Sequence, residues 1–192
     1  MVPTEPPKAI IQWDKRFDAK EKKDLAICFY SNDYTFQSVL GNPMKYIDYL
    51  KEFSMVIGPD ASPYDNMPLV VQKSQIFLNV AITYYWGLNG IKVIPNIRLG
   101  DGRTLSSLEA YPKNTLIAIG TNGFTKSVNN RCIFSNQVKT IVDALEPTGI
   151  CVYGPTPNSI FEYARKKDIP IYQYNSYMMN RNRMRKKNEG IN

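Results

Sequence analysis

Short apolar runs alternate with segments of helical periodicity along most of this chain. Six runs have the length of buried strands: residues 25–30, 54–57, 91–97, 115–119, 150–153 and 170–174. Nearly continuous apolar runs of this kind are typical of strands covered on both faces. Between them, apolar positions recur every three or four residues, which predicts helices. The longest such segment begins at Asn66-Met67-Pro68 and ends near Gly90, a predicted C-cap.

This rhythm predicts an α/β fold, with alternating strands and helices and a mainly parallel sheet of about six strands. Two architectures fit: a partial TIM-barrel-like sheet or an open doubly wound one. Polar residues directly after several successive strands favour the barrel-like form. Pro95 has no N–H to donate, so the pairing of the third run is expected to loosen there. Ser135 is the predicted cap of the helix that follows the fourth run.

The chain divides into three segments by composition. Residues 1–24 start Pro-rich and end in mixed charge, which predicts an N-terminal arm lying against the domain. Residues 25–176 form a single α/β domain, and residues 177–192 form a basic C-terminal tail. No apolar run is long enough to span a bilayer, and the N-terminus has no signal-peptide pattern, so a cytoplasmic protein without membrane contact is expected.

Histidine is absent from all 192 residues, which excludes every catalytic pair and metal site that needs imidazole. Cys28, Cys132 and Cys151 form no CxxC pair, so a zinc site or a disulfide framework has little support. Any catalysis would therefore use carboxylates, Lys, Tyr, Ser or Thr, or a metal held by carboxylates. The sequence does not decide whether the protein is an enzyme.

The positive charge is concentrated at the C-terminus. The formal net charge is +7. The tail carries five cations, less Glu189, and thus +4 of that total: Arg181, Arg183, Arg185, Lys186 and Lys187. Arginines interleaved with tyrosines suit phosphate backbones and stacked bases, so DNA or RNA is a candidate partner. The alternative is a solvated tail that only aids solubility.

Polar residues at the predicted strand ends form a candidate ligand site, because parallel α/β folds bind ligands at the carboxyl ends of strands. The candidates are Asp60, Ser62, Tyr64, Asp65, Asn96, Arg98, Asp101 and Asn122. Asp60, with Asp33 or Asp101, is the candidate ligand of a divalent cation such as Mg²⁺. Arg98 would bind a phosphate or carboxylate. The alternative is that these residues only form turns and cap helices.

Three segments resemble the DUF4417 family. Residues 58–68 (GPDASPYDNMP) resemble its PDFS-x-Y-x-DMP motif, residues 90–96 (GIKVIPN) its GIKVIP motif, and residues 152–154 its VYG strand end. The likeness covers about residues 10 to 175. The chain departs from the family pattern at Ala61, Asn66, Leu99 and Gly120-Thr121. Such proteins occur widely in phages, prophages and other mobile elements, and their function is unknown.

The resemblance and the basic tail together suggest a phage or mobile-element accessory protein that is associated with nucleic acid. Two alternatives stay open. One is a small-molecule-binding protein or enzyme with its polar site at the strand ends. The other is a non-catalytic inhibitor or adaptor that binds a host or phage protein.

Overall fold

The computed structural model describes residues 2–125 and 127–188, except for the side chains of residues 184 and 186–188. It contains seven strands: β1 (Ala9–Gln12), β2 (Leu25–Cys28), β3 (Met55–Ile57), β4 (Val93–Ile94), β5 (Leu116–Gly120), β6 (Gly149–Tyr153) and β7 (Ile171–Tyr174). Parallel ladders join β1 through β4 in chain order, and β5 through β7 in the same way. The predicted alternating α/β fold with a parallel sheet is confirmed.

Helices fill the connections between the strands. The α-helices are α1 (Gln37–Gly41), α2 (Ile47–Leu50), α3 (Leu69–Leu88), α4 (Val128–Leu145), α5 (Asn158–Lys166) and α6 (Tyr177–Asn188). Shorter 3-10 helices span Trp13–Asp18, Lys22–Asp24, Asp33–Thr35, Pro43–Tyr46 and Gly102–Ala110. No helix in the described part of the chain is long and apolar enough to cross a membrane.

The two ladders meet at Pro95. Because Pro95 lacks an N–H, β4 has only two residues, which pair with β3. Just after Pro95, Asn96 forms a single parallel bridge to Ala118 of β5. The Ala118 N–H donates to the Pro95 carbonyl at 2.8 Å, and the Ile97 N–H donates to the Ala118 carbonyl at 2.9 Å. The bridge brings β5 beside β4, so the seven strands follow one another in chain order.

Alternate residues of the strands face two different sides. One set packs together in a common interior: Cys28, Tyr30, Ile57, Ile94, Leu116, Ala118, Cys151 and Tyr153. Their sequence neighbours, such as Ile27, Val56 and Ile117, pack outward against the helices. Tyr174 of β7 donates a hydrogen bond to the Pro7 carbonyl at 2.6 Å, just before β1. This arrangement is a partial barrel, since the strand order of a doubly wound sheet would reverse.

The sheet has one strand more than predicted. Residues 9–12, which belong to the predicted N-terminal arm, pair in parallel with β2 from Ala9 to Gln12. Three of these four residues are only half-buried, so the run is too short and too open to have a clear strand pattern. β1 is therefore the first strand of the sheet, and the division of the chain at residue 24 stays a prediction.

Helix α4 begins earlier than predicted. Ser127, not Ser135, is its N-cap, and the Ser127 side chain accepts a hydrogen bond from the Asn130 N–H at 3.1 Å. The first turns of α4 contain two asparagines, which have weak helix propensity and hide the helix in the sequence pattern. Phe134, in the second turn, is 5% exposed and anchors this segment to the core.

Candidate functional site

A polar cavity of about 370 Å³ opens at the carboxyl ends of the strands. Residues at or just after the ends of six strands line it: Gln12, Asp14, Tyr30, Ser31, Asp60, Ser62, Arg98, Gly120, Asn122 and Ser176. Ligands of parallel α/β barrels bind at this end because the connecting loops converge there. The cavity is therefore the candidate functional site.

Asp60 is the buried carboxylate of the cavity, with 10% of its side chain exposed. Asn96 Nδ2 donates to Asp60 Oδ1 at 2.9 Å, and Arg98 Nε lies 3.8 Å from the same oxygen. Burial raises the pKa of Asp60 above its ordinary value, while Arg98 and the hydrogen bond from Asn96 oppose that rise. A buried carboxyl with a raised pKa can exchange a proton, or hydrogen-bond a polar ligand, more readily than an exposed aspartate.

Tyr30 and Asn96 support Asp60 from the barrel interior. The Tyr30 hydroxyl donates to Asn96 Oδ1 at 2.9 Å. The Tyr30 ring stacks on Tyr153 of β6, with ring centroids 5.2 Å apart. A Cβ atom at Gly120 would lie 2.6 Å from the Tyr30 ring, so glycine at this position leaves room for the ring. The floor of the cavity is thus a fixed network that joins β2, β4, β5 and β6.

Asp33 ties together the loops that follow β2 and β3. The Ser62 N–H donates to Asp33 Oδ2 at 3.0 Å, and the Ser62 hydroxyl is 2.9 Å from Asp33 Oδ1. Both Asp33 oxygens are therefore occupied by Ser62. The described residues contain no group of three or more Cys, Asp or Glu side chains placed to hold a metal ion. The role of Asp60 as a Mg²⁺ ligand stays a prediction.

Arg98 brings a positive charge into the cavity. Its side chain is 19% exposed, and its guanidinium lies over the Phe124 ring, 5.1 Å from the centroid. The 3.8 Å separation from Asp60 is longer than a hydrogen bond. Charge and ring contact, rather than a direct hydrogen bond to Asp60, therefore orient the guanidinium. Asn122 lies on the exposed part of the same wall.

The structure brings together five of the eight residues predicted for the site. Asp60, Ser62, Arg98 and Asn122 line the cavity, and Asn96 lies directly beneath it. The other three, Tyr64, Asp65 and Asp101, do not line it.

Asp101 has a structural partner instead. Its side chain caps the 3-10 helix Gly102–Ala110, accepts from Arg103 Nη2 at 2.6 Å and accepts from Gln72 Nε2 at 2.8 Å. These hydrogen bonds, first of all the one from Arg103, lower the pKa of Asp101. Tyr64 is 54% exposed, and Asp65 is exposed on the same loop. The alternative interpretation, that strand-end polar residues cap helices, therefore describes Asp101.

Several cavity residues are absent from the predicted set. Gln12 and Asp14 were not predicted as site residues because β1 was not predicted. Tyr30 was not predicted because it lies in an apolar run. Tyr34 and Tyr177 line the rim and are 75% and 45% exposed. Tyr34 and Tyr177 follow two predicted strands by four and three residues, and this position was the available signal for the rim.

Residues 177–188 of the predicted basic tail form α6, which begins at the rim of the cavity. Tyr177 and Met178 line the cavity, and the Tyr177 N–H donates to the Tyr153 hydroxyl at 2.9 Å. The Ser176 hydroxyl caps the helix by accepting from the Met179 N–H at 3.3 Å. The side chains of Arg181, Arg183 and Arg185 are exposed, while those of Lys186 and Lys187 lie outside the described residues, as does Glu189.

Comparison with known protein families matches residues 2–175 to a domain of unknown function, DUF4417. Among curated proteins, the Gene 1 protein of Mycobacterium phage L5 is 24% identical over 162 residues, which are 83% of this chain and 69% of the phage protein. The Gene 1 protein of Mycobacterium phage D29 is 22% identical over 130 residues, or 67% of this chain. That match spans about half of the D29 protein, 48% of its length. No solved structure is significantly similar to the chain.

Proposed function

The chain belongs to the DUF4417 family, and we propose that it is a phage accessory protein that binds single-stranded nucleic acid in the cytoplasm of a bacterial host. In this proposal, α6 contacts the phosphate backbone, and the strand-end cavity takes an unpaired base. The similarity to two phage proteins supports the phage role. The position of α6 supports the nucleic-acid role.

The observation that carries the proposal is that a basic helix begins at the rim of a polar cavity. Residues 177–188 include no acidic residue, and Arg181, Arg183 and Arg185 are exposed. Arginine binds phosphate oxygens in a bidentate manner, so successive phosphates can follow such a helix. Tyr177 stands where the helix meets the cavity, and Lys15 lies over its ring at 5.0 Å.

The charge of the cavity lining favours a base over a phosphate as its ligand. Among the described residues, the lining contains two carboxylates, Asp14 and Asp60, and one guanidinium, that of Arg98. A phosphate entering this lining would be repelled by both carboxylates. A nucleobase has a neutral edge of donors and acceptors, which Arg98, Asn122 and Asp60 can pair with. The exposed ring of Tyr34 at the rim offers a stacking surface.

The first test is fluorescence anisotropy with a labelled single-stranded DNA and RNA, and a duplex, over a salt series. The variant R181Q/R183Q/R185Q removes three positive charges from α6. Its matched control is K23Q/K51Q/K113Q, because these exposed lysines precede β2, β3 and β5 and thus lie at the opposite end of the barrel. The α6 variant should reduce the slope of log affinity against log salt by about 2, while the control keeps it.

A second arm separates base recognition from phosphate binding. An oligonucleotide with abasic positions has the same phosphates but no bases to enter the cavity. The proposal predicts about tenfold weaker binding of the abasic strand. Equal binding of both strands contradicts base insertion. Absence of salt-dependent binding, or equal losses in the α6 variant and its control, contradicts the whole proposal.

The cavity also supports a second candidate, a small-molecule-binding protein or enzyme. The specific observation is the enclosed pair of Asp60 and Arg98, a carboxyl of raised pKa beside a cation. Free nucleosides are the discriminating probe. Nucleoside binding that persists in the R181Q/R183Q/R185Q variant, without oligonucleotide binding by the wild type, would favour this second candidate.

A further inference from the structure

Helix α3 has an apolar surface on both of its sides. It spans the 20 residues Leu69–Leu88, and Lys73 is the single charged residue among them. Its inner face is buried against the barrel through Gln72, Ile76, Asn79, Ile82 and Trp86. A surface helix of a monomer usually presents several charged residues on its outer face, and α3 has only Lys73.

The exposed side of α3 carries an aligned and mostly apolar row, here called the α3 outer stripe. Its members follow one another at intervals of three or four residues: Val70, Ser74, Phe77, Ala81, Tyr84 and Leu88. The four large side chains are exposed to nearly equal extents, 71% for Val70, 72% for Phe77 and 68% for both Tyr84 and Leu88. Scattered apolar residues on a surface are ordinary, but an aligned row of this length marks an interaction site.

We propose that the α3 outer stripe of one copy packs against that of a second copy in an antiparallel, two-fold symmetric dimer. A two-fold axis near residue 79 places each large side chain of the stripe opposite a small or complementary one. The facing pairs are Phe77 with Ala81, Tyr84 with Ser74, and Val70 with Leu88. Large side chains facing small ones let two helices interdigitate closely, and a symmetric interface requires such self-complementarity.

The charge distribution fits a second copy as the partner. In the antiparallel arrangement Lys73 of one copy faces position 85 of the other, so the two Lys73 side chains are about 18 Å apart along the helix axis. That distance exceeds the Debye length of about 8 Å at physiological salt, so their repulsion is weak. No other charge in Leu69–Leu88 opposes association.

The exposed side chains of the stripe supply part of the area that a dimer needs. Covering Phe77 and Tyr84 removes on the order of 300 Å² of surface from each copy, since a buried aromatic side chain contributes about 150–250 Å². A specific interface buries about 800 Å² per partner. Val70, Val71 and Leu88 supply further area. An apolar groove of about 500 Å³ lies beside Tyr84 and Leu88, so apolar surface continues past the end of the stripe.

This dimer leaves the strand-end cavity and the basic helix α6 of each copy accessible. A helix that follows a parallel strand runs antiparallel to it, so the antiparallel pairing of two α3 helices points the two barrels in opposite directions. The two strand-end cavities and the two α6 helices then lie at opposite ends of the assembly. The dimer proposal therefore does not depend on nucleic-acid binding.

The test is the molar mass of the full chain by sedimentation equilibrium over a concentration series. The wild type should approach twice its monomer mass of 22.0 kDa. Phe77→Glu should raise the dimer dissociation constant by at least about 100-fold, because a symmetric dimer contains the substitution twice. Val128→Glu is the matched control, since Val128 is 74% exposed on α4, and it should leave the constant unchanged.

A charge-pair experiment tests the antiparallel register. Val70→Glu alone and Leu88→Lys alone should each weaken the dimer, whereas V70E/L88K should recover at least about tenfold of the affinity, because each Glu then faces a Lys of the other copy. Circular dichroism checks that every variant is folded. A monomeric wild type at high concentration, or a double variant as weak as the sum of the singles, would overturn the proposal.

Discussion

The loops after β3 and β4 each contain an aspartate that lies beside an arginine of the β4 loop, and the two pairs are used in opposite ways. In the first loop, Asp60 is 10% exposed and lies 3.8 Å from Arg98. In the second, Asp101 is 24% exposed and lies 2.6 Å from Arg103. Burial raises the pKa of Asp60, whereas hydrogen bonds from Arg103 and Gln72 lower the pKa of Asp101.

The difference arises from the donors that each carboxylate receives. Asp60 is held by the neutral amide of Asn96 and faces a cavity. Asp101 receives the Arg103 guanidinium, the Arg103 N–H and the Gln72 amide, all from its own loop and from α3. A carboxylate whose hydrogen bonds are already made stabilises a loop, while a buried one with few donors is available to a ligand.

The largest expected effect comes from removing the support of Asp60. Asn96→Ala leaves the Tyr30 hydroxyl, the Pro59 carbonyl and Asp60 without the amide that each contacts within 3.0 Å. Unpaired buried polar groups are costly, so the free energy of unfolding should fall by about 3 kcal/mol. Urea denaturation measures this loss. Asn122→Ala, at an exposed position in the cavity wall, should cost little, and equal losses in both variants would contradict the role of Asn96.

Removing the corresponding support of Asp101 should have a smaller effect. Gln72 is fully buried, donates to the Met67 carbonyl at 2.9 Å and exchanges two hydrogen bonds with Asp101. Gln72→Ala should reduce the free energy of unfolding by about 2 kcal/mol, since Asp101 keeps Arg103 and can be reached by water. Gln75→Ala on the same helix is the control. A loss larger than that of Asn96→Ala would reverse the comparison.

The fold was predictable where burial leaves a continuous apolar run. Residues 115–119 and 150–153 are covered on both faces, and both form strands as predicted. The half-buried β1 gave no such signal. The loosened pairing at Pro95 was also predictable, because proline has no N–H to donate. As predicted, β4 ends before Pro95, and only a single bridge follows it.

The candidate site was only partly predictable, because a position after a strand does not fix the direction of a side chain. Asp60 and Asp101 both follow predicted strands, but only Asp101 is hydrogen-bonded by Gln72, which lies 29 residues earlier in the chain. Tyr30 was hidden because an aromatic residue in an apolar run looks like core. Its hydrogen bond to Asn96 spans 66 residues and becomes visible only when the barrel brings β2 and β4 together.

Stability as a function of pH should separate the two aspartates by sign. The raised pKa of Asp60 means that the folded protein binds its proton more tightly than the unfolded chain, so ionisation of Asp60 lowers stability as pH rises above about 3.9. The Asp60→Asn variant lacks this loss, so the stability of the variant relative to wild type should increase as the pH rises above about 3.9. Denaturation at a series of pH values measures it.

Asp101→Asn should show the opposite slope. The lowered pKa of Asp101 means that its carboxylate stabilises the fold above about pH 3.9, and this contribution disappears as acid protonates it. The variant should be less stable than wild type at neutral pH, and the deficit should shrink as pH falls. Slopes of the same sign in both variants would show that the two carboxylates share one environment.

The smallest effects are expected from the two arginines, and they separate ligand binding from loop structure. Under the proposed function, Arg98→Gln should reduce the roughly tenfold preference for a base-containing strand over an abasic one, because Arg98 lines the cavity. Arg103→Gln should leave that preference unchanged, since Arg103 is 60% exposed and contacts Asp101 outside the cavity. Anisotropy with the two strands measures both. An equal reduction in both variants would mean that general positive charge, and not the cavity beside Asp60, governs recognition of the base.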